Sequence, residues 1–478
     1  MNSNSAQLQH KLRQVFGSLA VNKSLVRDAG LPRLPQFVVE HLVANYVNIG
    51  TAADDLVRVR EDVARKLPEA DRRELLKAKL LKKGELLVID KLNVRVDLRS
   101  GELVGSLTYT GENRVEVLEA LVDKYPRLLT GGLWGAYRLE YKRGKLKKTK
   151  ISASRLIVTG CLPFQVDEPD LEEFAQYRAQ FTVDEWIDVL LTSVGYAPEA
   201  LTPHMKFLLL ARLLPAVEPN YNFIELGPRQ TGKTYLLRNV SPSVYTASGA
   251  NVSAASLFAN VSSGELGIVG SFKVVVLDEI ADTQFDSVTT ISMLKDYLES
   301  GQFARGGKTY SSDASLVMTG NLEVEGSSPA SRYKHLFEEL PTVVQDTALL
   351  DRIHAYLPGW EIPKITPRSL SSGYGLIVDY LGQVLGKLRG RSRRHLINDL
   401  QMPAAATRRD VVAIEKTTSA LAKLLYPHDR YEQKDVRWLA QTAATLRERV
   451  NAQLAVMAPG EFEAAPFIIT PKTHLAVS

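Results

Sequence analysis

Cysteine is almost missing from this 478-residue chain; Cys161 is the only one. That excludes an intrachain disulfide and any zinc site built from cysteines. The eight histidines are scattered and form no HxxxH pair. Long hydrophobic runs are missing too. The most apolar stretch, 205–217, carries Lys206 and Arg212. It is shorter than the roughly 20 apolar residues that a bilayer requires, so no membrane partner is expected. The N-terminus lacks a basic start ahead of an apolar block, so it does not read as a secretory signal. The expected location is cytoplasmic. Repeats and low-complexity tracts are absent. So is a dominant charge: 59 Lys and Arg stand against 54 Asp and Glu, a formal net charge of +5. A nucleic-acid partner would therefore have to be met by local clusters of cations.

The length fits two to four domains at roughly 100–200 residues each. Residues 1 to about 85 have helical spacing, with an apolar stripe through Phe37, Val38, Leu42 and Tyr46. Short β runs follow at 86–90, 93–98 and 102–110, with Ser100-Gly101 as a turn. A further strand pair is expected at 136–141 and 150–158. It is joined by Lys142, Arg143, Lys145, Lys147 and Lys148. Five cations in one tight connection repel one another. Both a solvated loop and a contact to a nucleic-acid backbone are open readings. From 220 to 360 strands alternate with helices, an α/β pattern. Beyond 370 the chain reads as helical.

The sharpest motif is Gly227-Pro228-Arg229-Gln230-Thr231-Gly232-Lys233-Thr234, a GxxxxGK[ST] P-loop between a β-like run and a helix-compatible run. Glycines let the backbone curl so that successive N–H groups face phosphate oxygens. In such a loop the lysine reaches the β- and γ-phosphates and the hydroxyl of Thr234 holds Mg²⁺. A second motif, 273–279, is an apolar strand ending in Asp278 and Glu279. Acids at that end of a parallel strand lie where ligands bind. Asp278 is read as a metal ligand through water, and Glu279 as the general base for water. The expected cofactors are therefore ATP and Mg²⁺, with hydrolysis favoured over transfer to a hydroxyl.

Another apolar strand, 314–319, leads to Asn321, whose amide could bridge the γ-phosphate and the attacking water. Arg352 follows a helix-like run and precedes a strand. It is read as an arginine finger for a neighbouring subunit or, more plainly, as a partner of Asp351. In this order the four features resemble the AAA+ ATPases. The resemblance implies a parallel-sheet core with a helical lid and assembly in a ring. It also implies a lid arginine at the γ-phosphate, for which Arg408 and Arg409 are the candidates, with Arg409 assigned.

Between the acidic strand and the Asn-tipped strand lies a short hairpin, 302–311, with Gly306-Gly307 at its tip flanked by Arg305 and Lys308. It resembles the pore hairpin of helicase-like AAA+ proteins, in which cations grip nucleic acid. Phe258 is the aromatic that an unfoldase-like pore loop would use. A third basic cluster, Lys387, Arg389, Arg391, Arg393 and Arg394, reads equally as a solvated loop or a phosphate contact.

Segments 132–134, 225–234, 267–270, 275–279 and 416–427 resemble the BrxL family, the Lon-like ATPases of bacteriophage-exclusion (BREX) defence. The resemblance implies an α/β fold with an AAA+ core and lid behind an α+β DNA-binding domain. The expected division is 1–170, 180–365 and 366–455, with a tail at 456–478. The implied function is a hexameric or double-hexameric ring that binds and translocates on double-stranded DNA, alongside other phage-defence proteins. Such relatives also carry a Lon-protease-like domain, expected to begin about where this chain stops. The other readings are an ATPase subunit of a Lon-like protease and a nucleotide-gated scaffold.

Overall fold

Along five strands between residues 85 and 163 apolar side chains turn to one side, and the strands close into a barrel that buries them. The structure is a computed structural model. It describes residues 3–472 other than 99–100, 143–145, 148–149, 152–154, 166–167, 242, 250 and 263. Contacts divide the chain into two units: Gly17–Glu168, and Met1–Phe16 with Pro169–Ser478.

In the first unit, helices α1 (Gln36–Tyr46), α2 (Ala52–Lys66) and α3 (Arg73–Lys83) precede the barrel. Gly84 closes α3 at φ 82°, a left-handed cap that suits glycine. The barrel strands are β1 (Glu85–Asp97), β2 (Glu102–Leu107), β3 (Glu112–Val117), β4 (Leu133–Lys142) and β5 (Arg155–Pro163). Helix α4 (Glu119–Lys124) lies between β3 and β4. The spatial order is β1-β2-β3-β5-β4, closing back onto β1. β3 and β5 run parallel, and the other neighbours antiparallel. This is the connectivity of the OB-fold. Val88, Leu92, Val115, Tyr137, Leu139 and Val158 fill the interior. The two β runs expected at 86–90 and 93–98 form one strand. β1 pairs with β4 along its first half and with β2 along its second, so both halves are needed to close the barrel.

In the second unit, helices α5 (Val183–Ser193) and α6 (Pro203–Ala211) lead to a five-stranded parallel sheet. Its strands are β6 (Phe223–Gly227), β7 (Val244–Ser248), β8 (Val274–Asp278), β11 (Ser315–Asn321) and β12 (Ala355–Pro358), in the order β7-β8-β11-β6-β12. Helix α7 (Lys233–Val240) follows β6. Helix α8 (Val288–Ser300) runs into the antiparallel hairpin β9 (Gln302–Arg305) and β10 (Lys308–Ser311). Helices α9 (Val378–Leu388), α10 (Arg408–Leu425) and α11 (Gln433–Met457) complete the unit. The strands are near-continuous apolar runs, as burial on both faces requires. Ile224, Leu277, Leu316 and Met318 pack with Leu294 of α8 and Leu454 of α11.

Phe258 belongs to this core. It is fully buried against Phe303 and Tyr297 and does not supply an exposed pore aromatic. Among the described residues no helix is long and apolar enough to cross a membrane.

Candidate active site

The sheet register brings the sequence motifs to one edge. Asn321 stands opposite Gly227, Leu277 opposite Met318 and Ser248 opposite Asp278. The carboxyl ends of β6, β8 and β11 thus meet around the P-loop. Gly227 has no room for a side chain, since a Cβ would lie 2.4 Å from the carbonyl carbon of Gly359. Past it, Arg229 and Gln230 are exposed and Thr231 is buried. Lys233 opens α7, so the positive end of the helix dipole adds to its charge. Its ammonium donates to the carbonyls of Gly227 (2.9 Å) and Pro228 (2.8 Å) and lies 3.5 Å from Asn321 Oδ1. Burial lowers the pKa of Lys233, while Glu225 pushes it back up.

Asp278 is gripped on both oxygens. Thr234 Oγ1 donates to Oδ2 and Thr319 Oγ1 to Oδ1, each at 2.6 Å. One hydroxyl and one carboxylate are hard oxygen donors of the kind Mg²⁺ takes together with phosphate oxygens and water. Among the described residues no group of three or more His, Cys, Asp or Glu could form a metal cage by itself. A metal that shares its shell with a nucleotide is therefore the one this donor set fits.

Glu279 follows β8 in the left-handed region at φ 51°. Its carboxylate accepts a 2.6 Å hydrogen bond from Ser248 Oγ. Thr319 and Ser248 were not singled out by sequence reasoning. Thr319 leaves a signal, because it lies two residues before Asn321 and so faces the same side of the strand.

Arg352 and Arg409 lie elsewhere. They share a cleft of about 290 Å³ with Arg394, Arg408, Lys416 and Glu299, lined by no residue of 227–234. Arg352 Nε is 2.8 Å from Glu299, and Arg409 pairs with Asp351 (2.7 Å) and Glu299 (3.2 Å). Arg409, expected from the resemblance at a γ-phosphate, lies in that same cleft. The first turn of α10 abuts 351–352, where the buried Arg447 ties Asp410 to Asp351. Arg409 is thereby a neighbour of Arg352.

The expected nucleic-acid contacts separate as well. In the β9–β10 hairpin, Gly306 (φ 57°) and Gly307 (φ 71°) make the tip and Lys308 is exposed. Arg305 turns back and donates to the Ala259 carbonyl at 2.7 Å, which takes it away from the tip. In the β4–β5 connection, Lys142 is exposed and Leu146–Lys147 pairs with Lys150–Ile151. Arg143, Lys145 and Lys148 fall outside the described residues. In the third cluster Arg389 and Arg393 are buried and bind backbone carbonyls, Arg389 those of Pro215 and Glu218 and Arg393 those of Ala422 and Tyr426. Arg391 pairs with Glu172, and Arg394 with Glu218. Arg389 and Arg393 are internal ties, not phosphate contacts.

Comparisons with known proteins agree with the arrangement. The family model "Lon-like protease BrxL-like, ATPase domain" matches residues 156–467, and "BREX system Lon protease-like protein BrxL N-terminal" matches 14–141. The chain is 35% identical over 461 residues to a "Lon-like protease BrxL" of Bacillus cereus (strain H3081.97), covering 95% of this chain and 68% of that protein. It is 34% identical over 469 residues to the protein of that name from Escherichia coli O9:H4 (strain HS), covering 96% and 66%. The chain thus spans about two thirds of the length of these relatives. It belongs to the BrxL family, Lon-like ATPases of the BREX systems.

Proposed function

We propose that this chain is an AAA+ motor that hydrolyses ATP with Mg²⁺, assembles as a hexameric or double-hexameric ring, and acts on double-stranded DNA in phage defence in the cytoplasm. One observation carries the reading: Lys233, Thr234, Asp278, Glu279 and Asn321 converge on one edge of a parallel sheet. The amides of 227–234 and Lys233 bind the phosphates. Thr234 and Asp278 would hold Mg²⁺, which when bound offsets charge on the phosphate oxygens. Glu279 takes the proton of the attacking water, and Asn321 orients that water at the γ-phosphate. Arg352 is 17% exposed, in a cleft that no residue of 227–234 lines. In the proposed ring it would serve the nucleotide of a neighbouring copy, where it would offset transition-state charge.

For DNA, the supporting feature is the barrel. OB-folds take oligonucleotides at the connection between their last two strands. Here that connection holds Lys142, Arg143, Lys145, Lys147 and Lys148. Lys308 on the β9–β10 hairpin adds a second contact. A second reading is favoured by the relatives' name, "Lon-like protease": an ATPase subunit coupled to proteolysis. One experiment separates them, the ATPase rate with duplex DNA, with unfolded protein and with neither. Stimulation by DNA supports the motor. Stimulation by unfolded protein alone overturns it.

A further inference from the structure

A buried ion pair lies directly behind the P-loop. Arg212, at the C-terminal end of α6, and Glu225, on β6, are both fully buried. They meet as a fork, Nε to Oε2 at 2.9 Å and Nη2 to Oε1 at 2.6 Å. The remaining arm, Nη1, donates to the Thr231 carbonyl at 3.0 Å and to the Tyr196 hydroxyl at 3.1 Å. A pair this deep is weak as a source of stability, because desolvation offsets most of its attraction. Its place under the loop points to a different role.

The role follows from peptide geometry. The C=O and N–H of one trans peptide unit point in opposite directions. Fixing the Thr231 carbonyl against Arg212 therefore turns the N–H of Gly232 away from the pair, toward the open side of the loop. The preceding unit is fixed likewise. The Gln230 carbonyl accepts from the Ile365 N–H at 2.8 Å, which turns the Thr231 N–H outward. The loop needs such restraint, since Gln230 is a non-glycine residue at φ 70° and that conformation must be imposed by its surroundings. The same neighbours press on Gly232, where a Cβ would lie 2.5 Å from Ile365 Cδ1 and 2.8 Å from the Tyr196 hydroxyl.

We propose that Arg212, fixed by Glu225 and Tyr196, is a positioning residue that presets the Gly232 amide for the β-phosphate of a nucleoside di- or triphosphate. This rests on the reading of 227–234 as the nucleotide cradle. The test is ADP affinity by calorimetry, with melting temperature measured alongside, on the full chain. Arg212→Met with Glu225→Gln removes both charges at once and leaves no buried charge unpaired. It should weaken ADP by about tenfold, equal to about 1.4 kcal/mol. It should also raise the KM for ATP more than it lowers kcat, since uniform binding is what is lost. Arg212→Lys keeps the charge but loses the fork and should not restore affinity. Tyr196→Phe removes one hydroxyl and should weaken ADP by about two- to fivefold. ADP binding within twofold of wild type in the folded double variant overturns the proposal. Should the double variant not fold, the same result in Tyr196→Phe and Arg212→Lys together overturns it. Wild-type protein that binds no ADP would instead remove the cradle reading itself.

Discussion

Thr319→Val is a near-isosteric change that deletes one hydroxyl in the candidate site. Thr319 is fully buried, and its Oγ1 donates to Asp278 Oδ1 at 2.6 Å. The other oxygen of Asp278 takes its hydrogen bond from Thr234. A Thr234 hydroxyl that held a metal through its oxygen would still donate its proton to Asp278 Oδ2, so Thr319 is the residue that fixes the second oxygen, Oδ1. A hydrogen bond to a charged group is worth about 1.5–3 kcal/mol. At about 1.4 kcal/mol per decade, that is about 10- to 150-fold in an equilibrium constant. Groups that orient a metal-bound carboxylate independently account for about 10- to 100-fold in affinity or activity. The two estimates agree, so the Mg²⁺ concentration giving half-maximal ATPase rate should rise by about 10- to 100-fold. Titrating Mg²⁺ at saturating ATP reads it directly. Thr319→Ser keeps the donor and should restore the wild-type curve, which a merely structural defect would not do. A Thr319→Val protein with an unchanged Mg²⁺ midpoint and an unchanged melting temperature would refute the reasoning.

Glu279→Gln should bind ATP as well as wild type yet hydrolyse it at least about 100-fold more slowly, while Lys233→Ala should lose binding; equilibrium binding and phosphate release distinguish the two. Lys308→Ala should weaken duplex DNA binding and lower the slope of log affinity against log salt by about 0.9, whereas Arg305→Ala, already bonded to Ala259, should leave the slope unchanged. Arg447→Met removes the guanidinium that Asp351 and Asp410 share in the interior and should destabilise the unit by about 3–5 kcal/mol, seen as a lower urea midpoint. His354 is buried and accepts from the Asn222 N–H at its Nδ1; burial first, then Lys416 and Arg447, holds its pKa well below the usual 6.5. Its contribution is therefore intact above pH 6.5 and lost as pH falls and the unfolded chain takes up the proton first; His354→Gln should flatten the loss of stability between about pH 6.5 and 5.

The nucleotide motifs are legible because each is local. A strand, a turn and a helix start occupy consecutive residues at 223–234, and acids or an amide end apolar runs at 278–279 and 321. What supports them is not local. Thr319 meets an aspartate 41 residues earlier and Ser248 a glutamate 31 residues later, so only the register of the sheet pairs them. The barrel is hidden for a related reason. β3 has just two inward valines, Val115 and Val117, and its place depends on parallel pairing with a strand about 40 residues on. Cations mislead most, because a sequence shows charge without its partner. Arg389 is read as surface until the Glu218 carbonyl, 171 residues away, accepts from it. Arg305, Arg393 and Arg409 are taken up in the same manner. Lys142 and Lys308 stay exposed. A DNA track of the kind proposed would draw on Lys142 and Lys308 among the described hairpin cations, fewer charges than those hairpins' sequence count suggests. Lysine contacts phosphate as a point charge and lacks the bidentate geometry that reads a base. The affinity such a track supplies should be steep in salt and indifferent to sequence.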